Sequence, residues 1–323
     1  MSATGLRHVY GPVPSRRMGR SLGIDLVPLK TCTYDCLYCQ LGRTTNKTVD
    51  RKEYVSVDAV MEELKRELAA GVPPDAITLS GSGEPTLHDA IGDLIENIKS
   101  LTDIPLTVLT NGSLLWMDDV QDALMPADLV LPSLDAGDEY TFRYVNRPHE
   151  NISLERVVSG IAAFTRRFLG EVWLEVFLLA GVTGITSEAR KIAALAKHIG
   201  PSRVQLNTVS RPPAEEFAHP LAADRMRDLK HLFPRRTELI GGASIRGVPI
   251  PAFRDPGVEE ILDLLGRRPC TVLDLATGLR IPAPEALKHL DALIAAGAVT
   301  TVVLGERRFY LLAGQTKRFE ETA

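Results

Sequence analysis

Cysteine is scarce in this chain, with four in 323 residues. A small secreted scaffold held by disulfides needs a much denser set, so that class is excluded. Long apolar runs are missing too. No stretch of about 18 apolar residues occurs, and no membrane-spanning helix is expected. The opening Met-Ser-Ala-Thr-Gly-Leu-Arg-His lacks the apolar segment of a secretory signal. Strong net charge is also absent: the balance is −4, with 24% charged and 45% hydrophobic residues, as in ordinary globular chains. Together these point to a cytoplasmic, reducing setting and a chain long enough for one large domain plus a small one.

The cysteine that is present is concentrated. Cys32, Cys36 and Cys39 form a C-x3-C-x2-C array in one loop, directly after the apolar run Leu22–Leu29. Three thiolates this close can converge on one soft metal centre. A structural zinc knuckle normally takes four protein ligands at paired spacings, whereas Cys270 is remote and no histidine flanks the loop. Three ligands leave one iron of a cubane [4Fe–4S] cluster open to a small molecule.

Charge is unevenly spread. Residues 1–52 hold nine Lys and Arg against three Asp. Such a basic skirt could neutralise a cluster, hold an anionic substrate, approach nucleic acid, or simply be solvated.

From residue 57 onward, helix-periodic and short apolar segments alternate. The helices are expected over 57–70, 90–101, 118–124, 153–168, 187–199 and 222–233. Between them lie strand-like runs at Ala76–Ser80, Leu106–Thr110, Asp128–Leu134, Val172–Leu179 and Arg203–Val209. Six strands each followed by a helix imply a mostly parallel α/β sheet with right-handed crossovers, whose ligands sit at the carboxyl ends of the strands. The expected division is a first domain over 1–235 with an extended lead-in, a linker over 236–254, a small domain over 255–315 and a tail over 316–323. In the small domain, three helices and a hairpin around Gly305-Glu306 read as a winged helix-turn-helix. Its eight acids outnumber its six bases, a poor phosphate-binding balance.

A second motif follows the second strand: Ser80-Gly-Ser-Gly-Glu-Pro-Thr86. Gly81 and Gly83 permit close approach of backbone to a ligand, and Glu84 offers a carboxylate to an ammonium group.

The cysteine loop resembles the signature of the radical S-adenosylmethionine (SAM) superfamily, with Tyr38 in its aromatic place. Gly81, Ser82, Gly83 and Glu84 resemble that family's GGEP turn, with Ser82 standing for a glycine. The resemblance implies a partial (β/α)6 barrel. It also implies a [4Fe–4S] cluster on Cys32, Cys36 and Cys39, with SAM chelating the open iron. In that setting Asn111, Ser133 and Asp135 would be SAM contacts. Arg143, Arg147, Gln205, Asn207 and Arg211 follow strands four and six and are substrate-side candidates. The implied activity is reductive cleavage of SAM to a 5′-deoxyadenosyl radical that abstracts hydrogen from a substrate. An oxygen-sensitive enzyme of this kind needs a one-electron donor such as a flavodoxin or ferredoxin.

The Gly11-Pro-Val-Pro-Ser-Arg-Arg17 segment and the cysteine loop further resemble uncharacterised radical SAM proteins grouped with the wyosine-tRNA synthases, without those enzymes' additional cysteines. Modification of tRNA or another RNA is the narrower alternative, with RNA or protein met through the basic segment or the winged helix. A cluster-bearing winged-helix regulator is the alternative from another class.

Overall fold

The computed structural model describes residues 7–15, 17–70, 73–240, 257–279 and 281–315. The first half runs β1 (Val9–Ser15), β2 (Gly19–Ile24), the two-residue strands β3 (Thr31–Cys32) and β4 (Asn46–Lys47), α1 (Val57–Ala69), β5 (Ala76–Leu79), α2 (Ile91–Leu101), β6 (Leu106–Thr110) and α3 (Asp118–Leu124). It continues through β7 (Leu129–Pro132), α4 (Glu139–Val145), α5 (Leu154–Arg167), β8 (Glu171–Phe177), α6 (Thr186–Ile199), β9 (Arg203–Asn207), α7 (Ala223–Lys230) and β10 (Thr237–Leu239).

Among the described residues these strands make one eight-stranded sheet in the order β1-β2-β5-β6-β7-β8-β9-β10. Every pairing from β2 to β10 is parallel, and β1 is an antiparallel edge. All four residues of β5 are buried, as they must be in a parallel sheet covered by helices on its faces. The helices turn apolar stripes toward it, for example Ile91, Leu94, Ile95 and Ile98 of α2. Local signals set the helix ends. The Ser153 hydroxyl accepts the Arg156 N–H at the start of α5, and Gly200 ends α6 in the left-handed conformation at φ 67°.

Several elements depart from the expectation. The run Leu22–Leu29 is strand only to Ile24; Asp25 N–H still donates to His8 O at 2.9 Å, and its side chain accepts from Ser82 N–H. The Gly- and Pro-rich lead-in is an edge strand, which tolerates proline. Helix α4 is rich in aromatic and β-branched residues, and it forms because Asp138 caps it by accepting the Thr141 N–H at 2.8 Å. The expected linker over 236–254 begins with β10, which extends the sheet beyond β9. Its remainder from 241, like the tail over 316–323, lies outside the described residues.

The C-terminal domain comprises α8 (Val258–Arg267), α9 (Val272–Leu279), α10 (Ala283–Ala295) and the hairpin β11 (Val299–Leu304) and β12 (Arg307–Leu312). Its core is continuous with the lead-in: Val13 of β1 belongs to the same apolar cluster as Ile261, Leu265 and Leu290. The domain is therefore docked on the β1 edge of the sheet.

Candidate active site

The cysteine loop is tied down on two sides. On one, Lys30 N–H donates to Ser82 O at 2.7 Å and Glu84 N–H to Thr31 O at 3.2 Å, joining it to the glycine turn after β5. On the other, Asp35 N–H donates to Asn146 O and Leu37 N–H to Val145 O, both at 3.0 Å, joining it to the end of α4. Leu37 is fully buried, and Tyr34 packs edge-on against Phe142 at 5.5 Å. Backbone bonds and apolar burial together hold the three thiols at the carboxyl ends of the strands.

The glycine turn has little freedom. A Cβ on Gly83 would lie 1.7 Å from Thr31 O, and Gly81 has φ +144° with the Asp25 carboxylate against it. Ser82 N–H reaches Asp25 Oδ1 at 2.9 Å, and its hydroxyl, which a glycine lacks, donates to Asp25 Oδ2. Glu84 is buried, and its carboxylate accepts from Thr86 N–H (3.1 Å), Thr86 Oγ1 (2.6 Å), Thr110 Oγ1 (2.6 Å) and Asn111 N–H (2.7 Å). Three of these donors reach Oε1 and one reaches Oε2, which leaves Oε2 an open acceptor site. Burial raises the Glu84 carboxyl above its ordinary range, and these hydrogen bonds oppose the rise.

Each sulfur has its own nitrogen donor. Lys30 Nζ lies 3.1 Å from Cys39 Sγ, Asn111 Nδ2 3.6 Å from Cys32 Sγ, and Asn146 Nδ2 3.5 Å from Cys36 Sγ. Burial, with the Glu84 charge adding, pushes the Cys32 thiol up to about 12. Cys36 is also raised well above its usual value, by burial and then by Asp135. Thiols in such a place ionise when a cation compensates them, as on metal uptake. All four described cysteines are free thiols. Among the described residues no three Cys, His, Asp or Glu side chains converge closely enough to hold a single metal ion. That geometry does not suit a mononuclear zinc site, which draws its ligands around one atom.

A cavity of about 450 Å³ opens over this array at the carboxyl ends of the strands. Tyr38, Gly81, Ser82, Gly83, Glu84, Asn111, Ser133, Asp135, Asn207 and Arg211 all line it with the three cysteines. Tyr38 stacks on Phe177, with ring centroids 3.9 Å apart. Asp135 is buried, accepting from Phe177 N–H (2.9 Å), Asn146 Nδ2 (2.8 Å) and the Tyr38 hydroxyl. Burial lifts its carboxyl to about 6 against those bonds.

Three expected substrate contacts are not brought to this cavity. Arg143 lies on the surface of α4, paired with Glu139 at 2.7 Å. Arg147 lies beneath the cysteine loop, pairing with Glu215 at 2.5 Å and Asp35 at 3.8 Å. Gln205 shares a strand face with Asn207, but it lies two residues deeper in the sheet and is fully buried.

Other residues of the site escaped the sequence reading. Glu175 accepts from Asn207 Nδ2 at 2.8 Å and pairs with Arg17. A carboxylate at an inward position of an apolar strand was its only signal. Lys30 and Asn146 carried none. The basic skirt is largely engaged: Arg7 pairs with Glu67, Arg20 with Asp75, Arg43 with Glu215 and Arg51 with Asp119. Arg16 lies outside the described residues.

The Radical SAM superfamily profile matches residues 26–196, and a helix-turn-helix domain profile matches 260–302. The chain is 38% identical to a GTPase Obg of Brachyspira hyodysenteriae over 91% of its own length and 43% of that protein's. It thus spans less than half of that relative. It is 33% identical to a UPF0026 protein of Helicobacter pylori strain J99, covering 96% of this chain and 99% of that one. A radical SAM methyltransferase from Sphaerobacter thermophilus has a similar structure (TM-score 0.53, 18% identity, 70% of this chain and 67% of that one), which is a likeness of fold. No helix among the described residues is long and apolar enough to cross a membrane.

Proposed function

This chain belongs to the radical SAM superfamily and is one of the UPF0026 proteins, and from that premise we propose how its cavity works as an enzyme site. Cys32, Cys36 and Cys39 would hold the [4Fe–4S] cluster that the superfamily uses, and the Ser80–Thr86 turn would hold SAM. One observation carries the reading. Three half-buried cysteines, each sulfur with its own nitrogen donor, line the same cavity as a turn in which Gly83 admits no side chain. When bound, the cluster and SAM supply one-electron chemistry, which breaks SAM's sulfonium bond to give methionine and a 5′-deoxyadenosyl radical able to take a hydrogen atom from the substrate.

The chain's own residues prepare that chemistry. Lys30, Asn111 and Asn146 orient the thiolates and offset their charge. Glu84 staples the turn to the end of β6 through Thr110 and Asn111, so a SAM ammonium at its carboxylate would share it with donors already in place. Asp135 fixes Tyr38 and Asn146 rather than meeting SAM directly, while Ser133, half-buried and lining the cavity, remains the polar contact of that strand end. The electron donor is a small carrier such as a flavodoxin or ferredoxin, and the working compartment is the cytoplasm.

RNA as substrate, and with it kinship to the wyosine-tRNA synthases, is the weaker reading, because much of the basic skirt is already paired. A winged-helix regulator is weaker still: on α10, Lys288 and His289 both lie against Glu285.

The test is anaerobic reconstitution with iron and sulfide, then dithionite and SAM. The expected products are 5′-deoxyadenosine and methionine. A brown, reducible protein that releases neither overturns the reading, and so does full iron retention after Cys32, Cys36 and Cys39 are all changed to Ala.

A further inference from the structure

The outer part of the cavity is walled by the C-terminal domain. Arg267 and Arg268 at the end of α8 and Asp274 in α9 line it, opposite Arg17 and Arg211 of the large domain. Four guanidinium groups therefore face one space. Three are matched in place: Arg17 by Glu175, Arg211 by Asp274 at 3.6 Å, and Arg267 by both Asp25 at 3.2 Å and Asp263 at 3.3 Å. The fourth is not. The half-buried side chain of Arg268 makes no ion pair among the described residues, and its hydrogen-bonding neighbour is the Cys270 thiol. A second donor, Nε of Arg17, is buried and lacks a partner.

The backbone that carries Arg268 is held on both sides. Arg267 is buried, lies 4.1 Å over the Tyr10 ring and donates to Arg7 O. Gly266 O accepts from Gln315 Nε2 at 2.7 Å, and Cys270 exchanges backbone bonds with Tyr310 at 3.0 and 2.7 Å. The Arg268 charge is felt at the cavity wall. Burial would raise Asp274, but the Arg211 charge, Thr271 hydrogen bonds and the Arg268 charge bring it below the ordinary carboxylate range. The lining thus presents a guanidinium with no carboxylate partner on a fixed frame, in a space of limited volume. Such a site is completed by a ligand with a single anionic group, since an unpaired half-buried charge gains most from a charge-assisted, bidentate partner.

We propose that this outer half is the substrate subsite, that it takes a small molecule bearing one carboxylate or phosphate group, and that Arg268 is the anchor for that group. The winged-helix domain is then a wall of the reaction chamber. The proposal rests on the reading that the cluster and SAM fill the inner half.

The test uses the full-length chain, reconstituted anaerobically, and calorimetric titration with inorganic phosphate and separately with acetate, each with and without SAM. The variants are Arg268→Gln, Arg268→Lys and, as a control, Arg190→Gln on the exposed face of α6. One of the two anions is expected to bind the wild type. Arg268→Gln should weaken it at least about tenfold, Arg268→Lys should recover part of the loss, and Arg190→Gln should leave it unchanged. SAM affinity should stay within about twofold in all of them. Failure of both anions to bind the wild type, or equal binding by Arg268→Gln, overturns the proposal. A comparable loss of SAM affinity in Arg268→Gln also overturns it, by assigning the guanidinium to SAM's own carboxylate. A wild type that takes up neither cluster nor SAM sinks the cofactor reading instead, and shows itself in the SAM arm rather than the anion arm.

Discussion

Arg267 and Asp25 stand 242 residues apart in sequence, and their side chains meet at 3.2 Å with both largely buried. Asp25 in turn holds the N–H and hydroxyl of Ser82 in the glycine turn. The C-terminal domain is therefore joined to the proposed SAM turn through one carboxylate. Desolvation raises Asp25 above the ordinary carboxylate range, and Ser82 and Arg267 oppose that shift.

Removing one partner should leave the other charge buried and uncompensated. Arg267→Met is expected to cost on the order of 3–5 kcal/mol in stability, because breaking a buried pair exposes the desolvation penalty of the survivor. The double variant with Asp25→Asn should lose less than the sum of the two single changes. Urea denaturation around the four-member cycle measures this.

Gly83 and Gly181 separate steric demand from backbone strain. Both would accept a Cβ badly, for different reasons: at Gly83 it would strike Thr31 O at 1.7 Å, while at Gly181 nothing lies within 4 Å but φ is +72°. Gly83→Ala should abolish iron uptake and SAM binding. Gly181→Ala should cost roughly 1 kcal/mol and leave both intact. Iron content and thermal melting of the two variants decide it.

Lys30 places a buried cation beside Cys39. A positive charge favours the more negative, reduced form of a cluster, so Lys30→Met should lower its midpoint potential by roughly tens of millivolts. Asn146→Ala, which removes a neutral donor from Cys36, should lower it by less. Redox titration followed by electron paramagnetic resonance gives both values.

Asp138 caps α4, whose end carries the backbone carbonyls that hold Asp35 and Leu37 of the cysteine loop. Its carboxyl is lowered to about 2, first by the Lys191 hydrogen bond and then by the Thr141 N–H. A depressed acid stabilises the fold above its unfolded value near 4, and that stability is lost as pH falls toward 2. Asp138→Ala should therefore cost about 1 kcal/mol at neutral pH. The gap from wild type should close between pH 4 and pH 2, with the exposed Lys191 pair adding little because it is screened. Thermal melts across that range are the check.

The chemistry-bearing stretches were legible in the sequence because they are local. Cys32, Cys36 and Cys39 sit within one loop, so their spacing declared them, while Gly81 and Gly83, within one turn, gained their meaning from the resemblance to the GGEP motif. Alternating apolar and helix-periodic runs likewise declared a parallel α/β sheet, since burial on both faces leaves strands nearly uninterrupted by polar residues. Arginines were the poorest guide. Arg143 and Arg147 follow the right strand but serve α4 and the loop beneath it, whereas Arg268, in the small domain, reaches the cavity.

The sequence by itself determined which groups this protein brings to its cavity: three thiols, a glycine turn and a carboxylate. Tertiary structure decided what surrounds them. Asn111 meets Cys32 from 79 residues away and Asn146 meets Cys36 from 110, while Arg267 closes on Asp25 from the other domain. Such contacts depend on strand order and domain docking, which come from the summed burial of apolar surface and leave no mark in the spacing of any one segment.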